Sequence, residues 1–195
     1  MKDPVGDPDV WSYIPTQLLW VCDKLILART LGYLCGPAGV PVPKPALYVV
    51  RPCVNFEMMS KGASLQHLDP DNSNIPTGYF WCEQFAGRHL SFDYRYGQQV
   101  LAVEGFRGDS RLDRFSRWLK VGDQFTLPPI LQSVADNVEW FNVEVIGDRV
   151  IEAHFRYNDD FADPDVEEVI PIWKEEFYPS ACGDRVGFIV KKKSL

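Results

Sequence analysis

The dipeptide Gly147-Asp148 and the apolar runs on either side of it constrain the fold more than any other feature of this 195-residue chain. The runs cover residues 140–146 and 149–155, and a two-residue turn of this composition is favoured between antiparallel strands. Side chains two residues apart on a strand point to the same side of a sheet. The pattern therefore predicts an antiparallel hairpin across residues 140–156.

Polar residues interrupt this hairpin at period-two positions. Asn142 and Glu144 lie two residues apart on the first strand, Glu152 and His154 on the second, and Arg156 continues the second set. We expect these side chains to share one face, where burial without partners would be costly. One interpretation is a solvated outer face with cross-strand pairs. The other is a cation site, because glutamate oxygens bind Mg²⁺ and Mg²⁺ bridges substrate phosphates.

The rest of the chain predicts short strands separated by glycines, with helices among them. Further strands are expected at residues 46–50, 79–85, 90–96, 99–103 and 186–190. Helical spacing of apolar residues, or a Pro-Pro start, predicts helices at residues 11–34, 107–121 and 128–137. Loops are expected at residues 55–75 and 158–168. Strands that outnumber helices but mix with them indicate the α+β class.

Two further segments could contact a ligand. The predicted loop 55–75 contains Lys61 and Gly62, and such a loop could place backbone N–H groups and an ammonium over phosphates. On this evidence alone, a plain surface loop is the favoured interpretation. The strand that includes Trp81 and Glu83, followed by His89, could form an aromatic slot for a flat heterocycle such as adenine. The alternative for this second segment is an ordinary core strand.

Composition and charge exclude several functional classes. The 20 Lys and Arg against 27 Asp and Glu give a net charge of −7, which argues against a general nucleic-acid binder. The apolar run 17–27 contains Asp23 and Lys24 and is far shorter than the roughly 20 residues that span a membrane. No signal-peptide pattern is visible, and the five cysteines form no C-x-x-C pair. We therefore expect free thiols and a cytoplasmic location.

Three motifs in series resemble the ATP-grasp enzymes. Residues 23–52 contain Asp-Lys, Gly-Val-Pro-Val-Pro and Val-Val-Arg-Pro, which is similar to the D-K…G-(I/V)-P-x-P…(V/I)-K-P opening of that superfamily. Residues 82–93, CEQFAGRHLSFD, resemble its hinge. Residues 143–156, VEVIGDRVIEAHFR, resemble its closing hairpin, in which an E-x-N-x-R strand binds Mg²⁺ and contacts phosphates. The matches follow the family order across residues 20–160.

The resemblance implies a fold and a set of site residues. The expected fold is α+β and ATP-grasp-like, with antiparallel sheets and flanking helices in a single domain 1–195, divided into a small lobe with its loop at 11–75 and a C-terminal lobe at 76–195. The implied metal ligands are Glu144, Glu152 and His154. The implied nucleotide contacts are Arg51, Lys61, Trp81, Cys82, Glu83 and, at the ribose, His89. The implied catalytic residues are Arg156 and Lys61.

The implied function is an ATP- and Mg²⁺-dependent carboxylate–amine or carboxylate–thiol ligase that acts through an acyl phosphate on a small carboxylate or peptide acceptor. The alternative is a non-catalytic nucleotide-binding or protein-interaction module. Arg51 in place of the strand lysine, and His154 in place of the metal-site asparagine, favour that alternative. So does the lack of a substrate domain before Asp23, which a partner protein could supply. A compact protein of this kind fits a phage genome, and its location would then be the host cytoplasm.

Overall fold

Two antiparallel sheets carry most of the regular structure in the computed structural model, which describes residues 7–54, 61–71, 73–108, 111–174 and 185–193. The small sheet has the order β1-β4-β2-β3, with bounds Cys35–Pro37 (β1), Ala46–Pro52 (β2), Ser64–Leu68 (β3) and Tyr79–Glu83 (β4). The large sheet has the order β11-β10-β7-β6-β5-β8-β9. Its bounds are His89–Arg95 (β5), Gln98–Phe106 (β6), Arg117–Lys120 (β7), Trp140–Ile146 (β8), Arg149–His154 (β9), Val166–Trp173 (β10) and Arg185–Lys192 (β11).

Short helices cover one side of the large sheet. They are α1 (Asp7–Trp11), α2 (Lys24–Thr30) and α3 (Pro129–Ala135), with a 3-10 helix at Thr16–Cys22. A second 3-10 helix, Asp159–Phe161, packs through Phe161 against Val103 on the other side of that sheet. The main core lies between that side and α2 and α3, and it includes Leu27, Leu131, Phe92, Phe141 and Val143. Because side chains alternate along each strand, the residues between these apolar positions face the other side of the sheet.

The β8–β9 hairpin is confirmed. Asn142 pairs with His154 and Glu144 with Glu152, so the period-two polar residues share one face as expected. Gly147 has φ +63°, and a Cβ there would lie 2.7 Å from the Ala86 carbonyl oxygen, so only glycine fits between the turn and the segment that enters β5. The turn is thereby packed against the connection between the two sheets.

The prediction of one helix over residues 11–34 is wrong. The segment contains only the last residue of α1, followed by the 3-10 helix and α2, and the division at Asp23 has a clear cause. Oδ1 of Asp23 accepts hydrogen bonds from the Leu25 and Ile26 N–H groups, at 2.9 and 3.0 Å. An aspartate that caps free N–H groups in this way begins a new helix.

The prediction of a helix over residues 107–121 is also wrong, since β7 lies there and pairs with both β6 and β10. The apolar residues at helical spacing serve a different purpose. A Cβ on Gly105 would lie 2.6 Å from Cε1 of Phe115, so the absence of a side chain at Gly105 makes room for the Phe115 ring against β6. Long-range strand pairing outweighs the local pattern here.

Two predicted loops contain strands. Within segment 55–75, β3 pairs with β2, while residues 55–60 and 72 lie outside the described residues. Within segment 158–168, a 3-10 helix precedes the start of β10. The other predicted strands and the helix that begins at Pro129 are confirmed within a few residues. Four cysteines, Cys22, Cys35, Cys53 and Cys82, are free thiols as expected, and Cys182 lies outside the described residues. Across the described ranges, no helix is long and apolar enough to cross a membrane.

Candidate functional site

A strip of polar side chains crosses three neighbouring strands, β5, β8 and β9, on the face of the large sheet opposite the main core. Strand pairing places Ser91 beside Glu144 and Glu144 beside Glu152. One step along, it places Asp93 beside Asn142 and Asn142 beside His154. The polar strip therefore consists of His89, Ser91, Asp93, Asn142, Glu144, Glu152 and His154. All are buried except Glu144, whose side chain is 20% exposed.

Three members of the polar strip form a cluster with the chemistry of a cation site. One ligand atom from each of Glu144, Glu152 and His154 lies within 4.8 Å of the other two. Oε1 of Glu152 is 3.6 Å from Nε2 of His154, and both side chains are 2% exposed. Both Glu152 carboxylate oxygens are buried and accept no hydrogen bond from the residues that the structure describes.

These donors fit a divalent cation. A buried carboxylate without hydrogen bonds is costly unless a cation satisfies it. Two carboxylates suit Mg²⁺ and Mn²⁺, and an imidazole nitrogen adds affinity for transition metals, so the set accommodates Mn²⁺ at least as well as Mg²⁺. The cluster of Glu144, Glu152 and His154 is called the cation cluster below.

Lys24 contacts the cation cluster and was not among the sequence-predicted site residues. Its Nζ lies 3.2 Å from Oε1 of Glu152, and its side chain is fully enclosed. The signal in the sequence was a lysine inside an apolar helical run, next to the Asp23 cap. No local pattern indicates that this lysine reaches a strand more than 120 positions later in the chain.

Arg51 connects the small sheet to β9, the strand that carries Glu152. Its Nη2 donates a 2.8 Å hydrogen bond to the Ile151 carbonyl oxygen in β9, and its guanidinium lies 5.2 Å from the centre of the Phe80 ring. The side chain is buried. The guanidinium predicted to contact phosphate therefore lies beside the strand that carries Glu152 and His154.

A hydrogen-bond chain fixes the orientation of Glu144. Nη2 of Arg107 lies 3.0 Å from Nδ1 of His89, and Nε2 of His89 lies 2.9 Å from Oε2 of Glu144. A guanidinium can only donate, so Nδ1 accepts and Nε2 carries the hydrogen that is donated to Glu144. The rings of Phe115 and Trp118 pack edge-on against His89 and hold it in place. Sequence reasoning assigned no individual role to Arg107.

The electrostatics favour an ionised Glu144. Burial alone raises the pKa of its carboxyl group, but the hydrogen bond from His89 and then the electrostatic contributions of His89, His154 and Arg156 outweigh burial and lower the pKa to about 2. Glu144 is therefore a carboxylate at neutral pH, as a cation ligand must be.

The far end of the polar strip is a closed network around Asp93. Nδ2 of Asn142 donates to Oδ1 of Asp93 at 2.7 Å, and the backbone N–H of Asn158 donates to Oδ2 at 2.8 Å. Burial raises the pKa of Asp93 to about 6 in spite of these donors and the charge of Arg156. The network holds the chain that leaves β9 against the sheet.

The remaining predicted site residues lie elsewhere or at the margin. Trp81, Cys82 and Glu83 belong to β4, which has β1 and β2 on either side. Nε1 of Trp81 donates to the Val40 carbonyl oxygen, and Oε1 of Glu83 accepts from the Leu34 N–H. Their adenine role stays a prediction. So does the phosphate role of Lys61, which precedes β3.

The comparisons with known proteins bear on the fold. The sequence matches no protein-family model and no curated protein. Its structure is similar to that of an Archaeoglobus fulgidus protein assigned to the ATP-grasp superfamily, with a TM-score of 0.54 and 13% identity over 89% of this chain and 64% of that one.

Two ATP-grasp ligases are also similar, at lower scores. D-alanine–D-alanine ligase from Bacillus anthracis, complexed with ATP, gives a TM-score of 0.41 at 15% identity over 69% of this chain and 55% of that one. The ligase PsnB, complexed with a precursor variant, Mg and ADP, gives 0.45 at 11% identity over 74% and 52%. The comparisons give no support to a viral source. The chain spans less than two thirds of the length of these proteins, and the similarity to the archaeal protein shows that it has an ATP-grasp fold.

Proposed function

We propose that this protein is an ATP- and Mg²⁺-dependent ligase that joins a carboxylate to an amine or a thiol through an acyl phosphate. The observation that carries the proposal is the cation cluster, which lies on an ATP-grasp fold at the strands where the sequence motifs predicted it. A face with three clustered ligand atoms, a low-pKa carboxylate and nearby guanidinium groups is suited to phosphate chemistry.

Glu144, Glu152 and His154 would hold the divalent cation, which when bound neutralises charge on the phosphates of ATP. Arg51 and Lys61 are proposed to contact phosphates, and Arg156 to act at the phosphate or acyl end. The positive charge of Arg156 acts on two carboxyl groups of the polar strip, because it contributes to lowering the pKa of Glu144 and of Asp93. Trp81, Cys82, Glu83 and His89 remain the proposed nucleoside contacts, although His89 is engaged with Glu144 in this structure.

The proposed reaction has two steps. A carboxylate oxygen of the substrate attacks the γ-phosphorus of ATP, the bond between that phosphorus and the β,γ-bridging oxygen breaks, and ADP leaves. An amine or thiol then attacks the carbonyl carbon of the acyl phosphate, inorganic phosphate leaves, and the attacking group loses its proton to solvent. The chain's own contribution is to position the reactants and place positive charge beside the transferred group.

A second candidate is a nucleotide-binding or protein-interaction module without turnover. The observation that favours it is the Lys24–Glu152 ion pair, because an ammonium 3.2 Å from Oε1 already neutralises one carboxylate of the cation cluster without a metal. In that case, a partner protein would supply any substrate-binding part.

Melting curves with ATP and Mg²⁺, compared with ADP, GTP and buffer, test nucleotide binding. A ligand present at about 100 times its Kd stabilises the folded state by about 2.7 kcal/mol. ADP release across a panel of carboxylates and amines then separates the candidates. ADP release that depends on one particular carboxylate supports the ligase. Nucleotide binding with no ADP release for every member of the panel supports the module.

A further inference from the structure

The Lys24–Glu152 pair has the geometry of an enclosed contact that lacks the usual compensation. Both side chains are 2% exposed, and Nζ lies 3.2 Å from Oε1, yet neither Glu152 oxygen accepts a well-formed hydrogen bond within the described part of the chain. Two buried charges recover their desolvation cost only when their geometry is good and further hydrogen bonds satisfy the remaining atoms. The contacts of this pair therefore offset little of the free energy that burying its two charges costs.

The same carboxylate oxygen lies beside His154, another member of the cation cluster. Oε1 of Glu152 is 3.6 Å from Nε2 of His154 and 3.2 Å from the Lys24 ammonium, so the ammonium and a divalent cation would compete for one atom. Like charges at such distances repel strongly in a buried site. A metal that bonds Oε1 must therefore move the Lys24 ammonium away from that atom.

We propose that Lys24 is a built-in competitor for the divalent cation. It neutralises Glu152 when no metal is bound, keeps the affinity for free metal low, and leaves Oε1 when the metal binds. The inference rests on the proposed function only in taking the cation cluster as a metal site. It adds that the metal affinity of this site is limited by a residue of the chain itself.

Binding of Mn²⁺ alone, without nucleotide, tests the competition, with free Mn²⁺ measured by its paramagnetic resonance signal. Lys24→Met removes the charge and keeps most of the volume, and we expect it to bind Mn²⁺ at least tenfold more tightly than the wild type. Lys24→Arg keeps the charge, and Lys44→Met changes an exposed lysine, so both should stay within about threefold of the wild type. Adding Glu152→Gln to Lys24→Met should abolish the gain.

Equal or weaker Mn²⁺ binding by Lys24→Met overturns the proposal. If that variant unfolds without metal, the readout is its melting transition, which Mn²⁺ should restore in the single variant but not in the double variant with Glu152→Gln. Failure of Mn²⁺ to restore it overturns the proposal as well. If the wild type binds ATP but Lys24→Met binds Mn²⁺ no more tightly than the wild type, only this inference is refuted. If Lys24→Met binds Mn²⁺ more tightly but the wild type binds no nucleotide, only the proposed function is refuted.

Discussion

The orientation of Glu144 depends on one histidine whose hydrogen is fixed by an arginine. Arg107 donates to Nδ1 of His89, which leaves Nε2 to donate to Oε2 of Glu144. A metal ligand held by such a neighbour loses roughly 10- to 100-fold in metal affinity when the neighbour is removed. We therefore propose that His89 positions Glu144 in the cation cluster, in addition to the ribose contact that the sequence resemblance implies.

We predict that His89→Leu weakens Mn²⁺ binding at least tenfold. His89→Gln should recover part of the affinity, because its amide can donate to Glu144 and accept from Arg107. The matched control is His67→Leu, which changes an exposed histidine on β3. Titration of each variant with Mn²⁺ checks this, and equal affinities for the leucine and glutamine variants would refute the positioning role.

A second residue-scale prediction concerns the pH dependence of stability. The folded-state pKa of Asp93 is about 6, above its ordinary value of 3.8, so between about pH 4 and 6 this carboxyl group is more protonated in the folded protein than in the unfolded chain. Stability should therefore fall as the pH rises through that window, by on the order of 2–3 kcal/mol. Glu144 affects stability in a different pH range. Its lowered pKa contributes stability at neutral pH, and that contribution is lost only as the pH falls below about 4.5.

Urea unfolding at half-unit steps from pH 4 to 7 measures this effect. The variant Asp93→Asn should show a flatter curve than the wild type in the same range, whatever its absolute stability. The same slope in both proteins would mean that Asp93 does not titrate as its surroundings indicate.

At the scale of elements, the local sequence pattern was sufficient to predict a helix or hairpin whose contacting residues are close together in the chain. The β8–β9 hairpin followed from Gly147-Asp148 and period two, and α3 from its Pro-Pro start. The pattern failed for residues 107–121, where Phe115 packs against Gly105 and the chain pairs as β7. Helical spacing cannot reveal a pairing with a strand from another part of the chain.

The start of α2 gives a prediction at this scale. Asp23 caps α2 and sets the position of Lys24 at its first turn, so Asp23→Ala should reduce the free energy of unfolding by about 1 kcal/mol. The exposed Asp71 provides a control, since Asp71→Ala should stay within about 0.5 kcal/mol of the wild type. Equal urea midpoints for the two variants would show that the cap does not hold this helix.

For the whole molecule, the site forms where segments far apart in the chain meet on β9. Arg51 reaches β9 from the small sheet and Lys24 from α2, while the cation cluster lies on β8 and β9. The cluster could be predicted because its members share one hairpin. Lys24, Arg107 and the Asp93 network could not, because their contacts depend on how sheets and helices pack rather than on spacing along the chain.

The central claim is that the cation cluster supports nucleotide binding through a divalent cation. Calorimetric titration of ATP with and without Mg²⁺ tests it most directly, on the wild type, Glu152→Gln and the control Glu139→Gln, which alters a half-exposed surface pair with Arg95. We predict that Mg²⁺ tightens ATP binding at least tenfold in the wild type and the control, and that Glu152→Gln loses this dependence without losing its fold. Absence of ATP binding by the wild type at millimolar concentration, or an unchanged Mg²⁺ dependence in Glu152→Gln, would contradict the account.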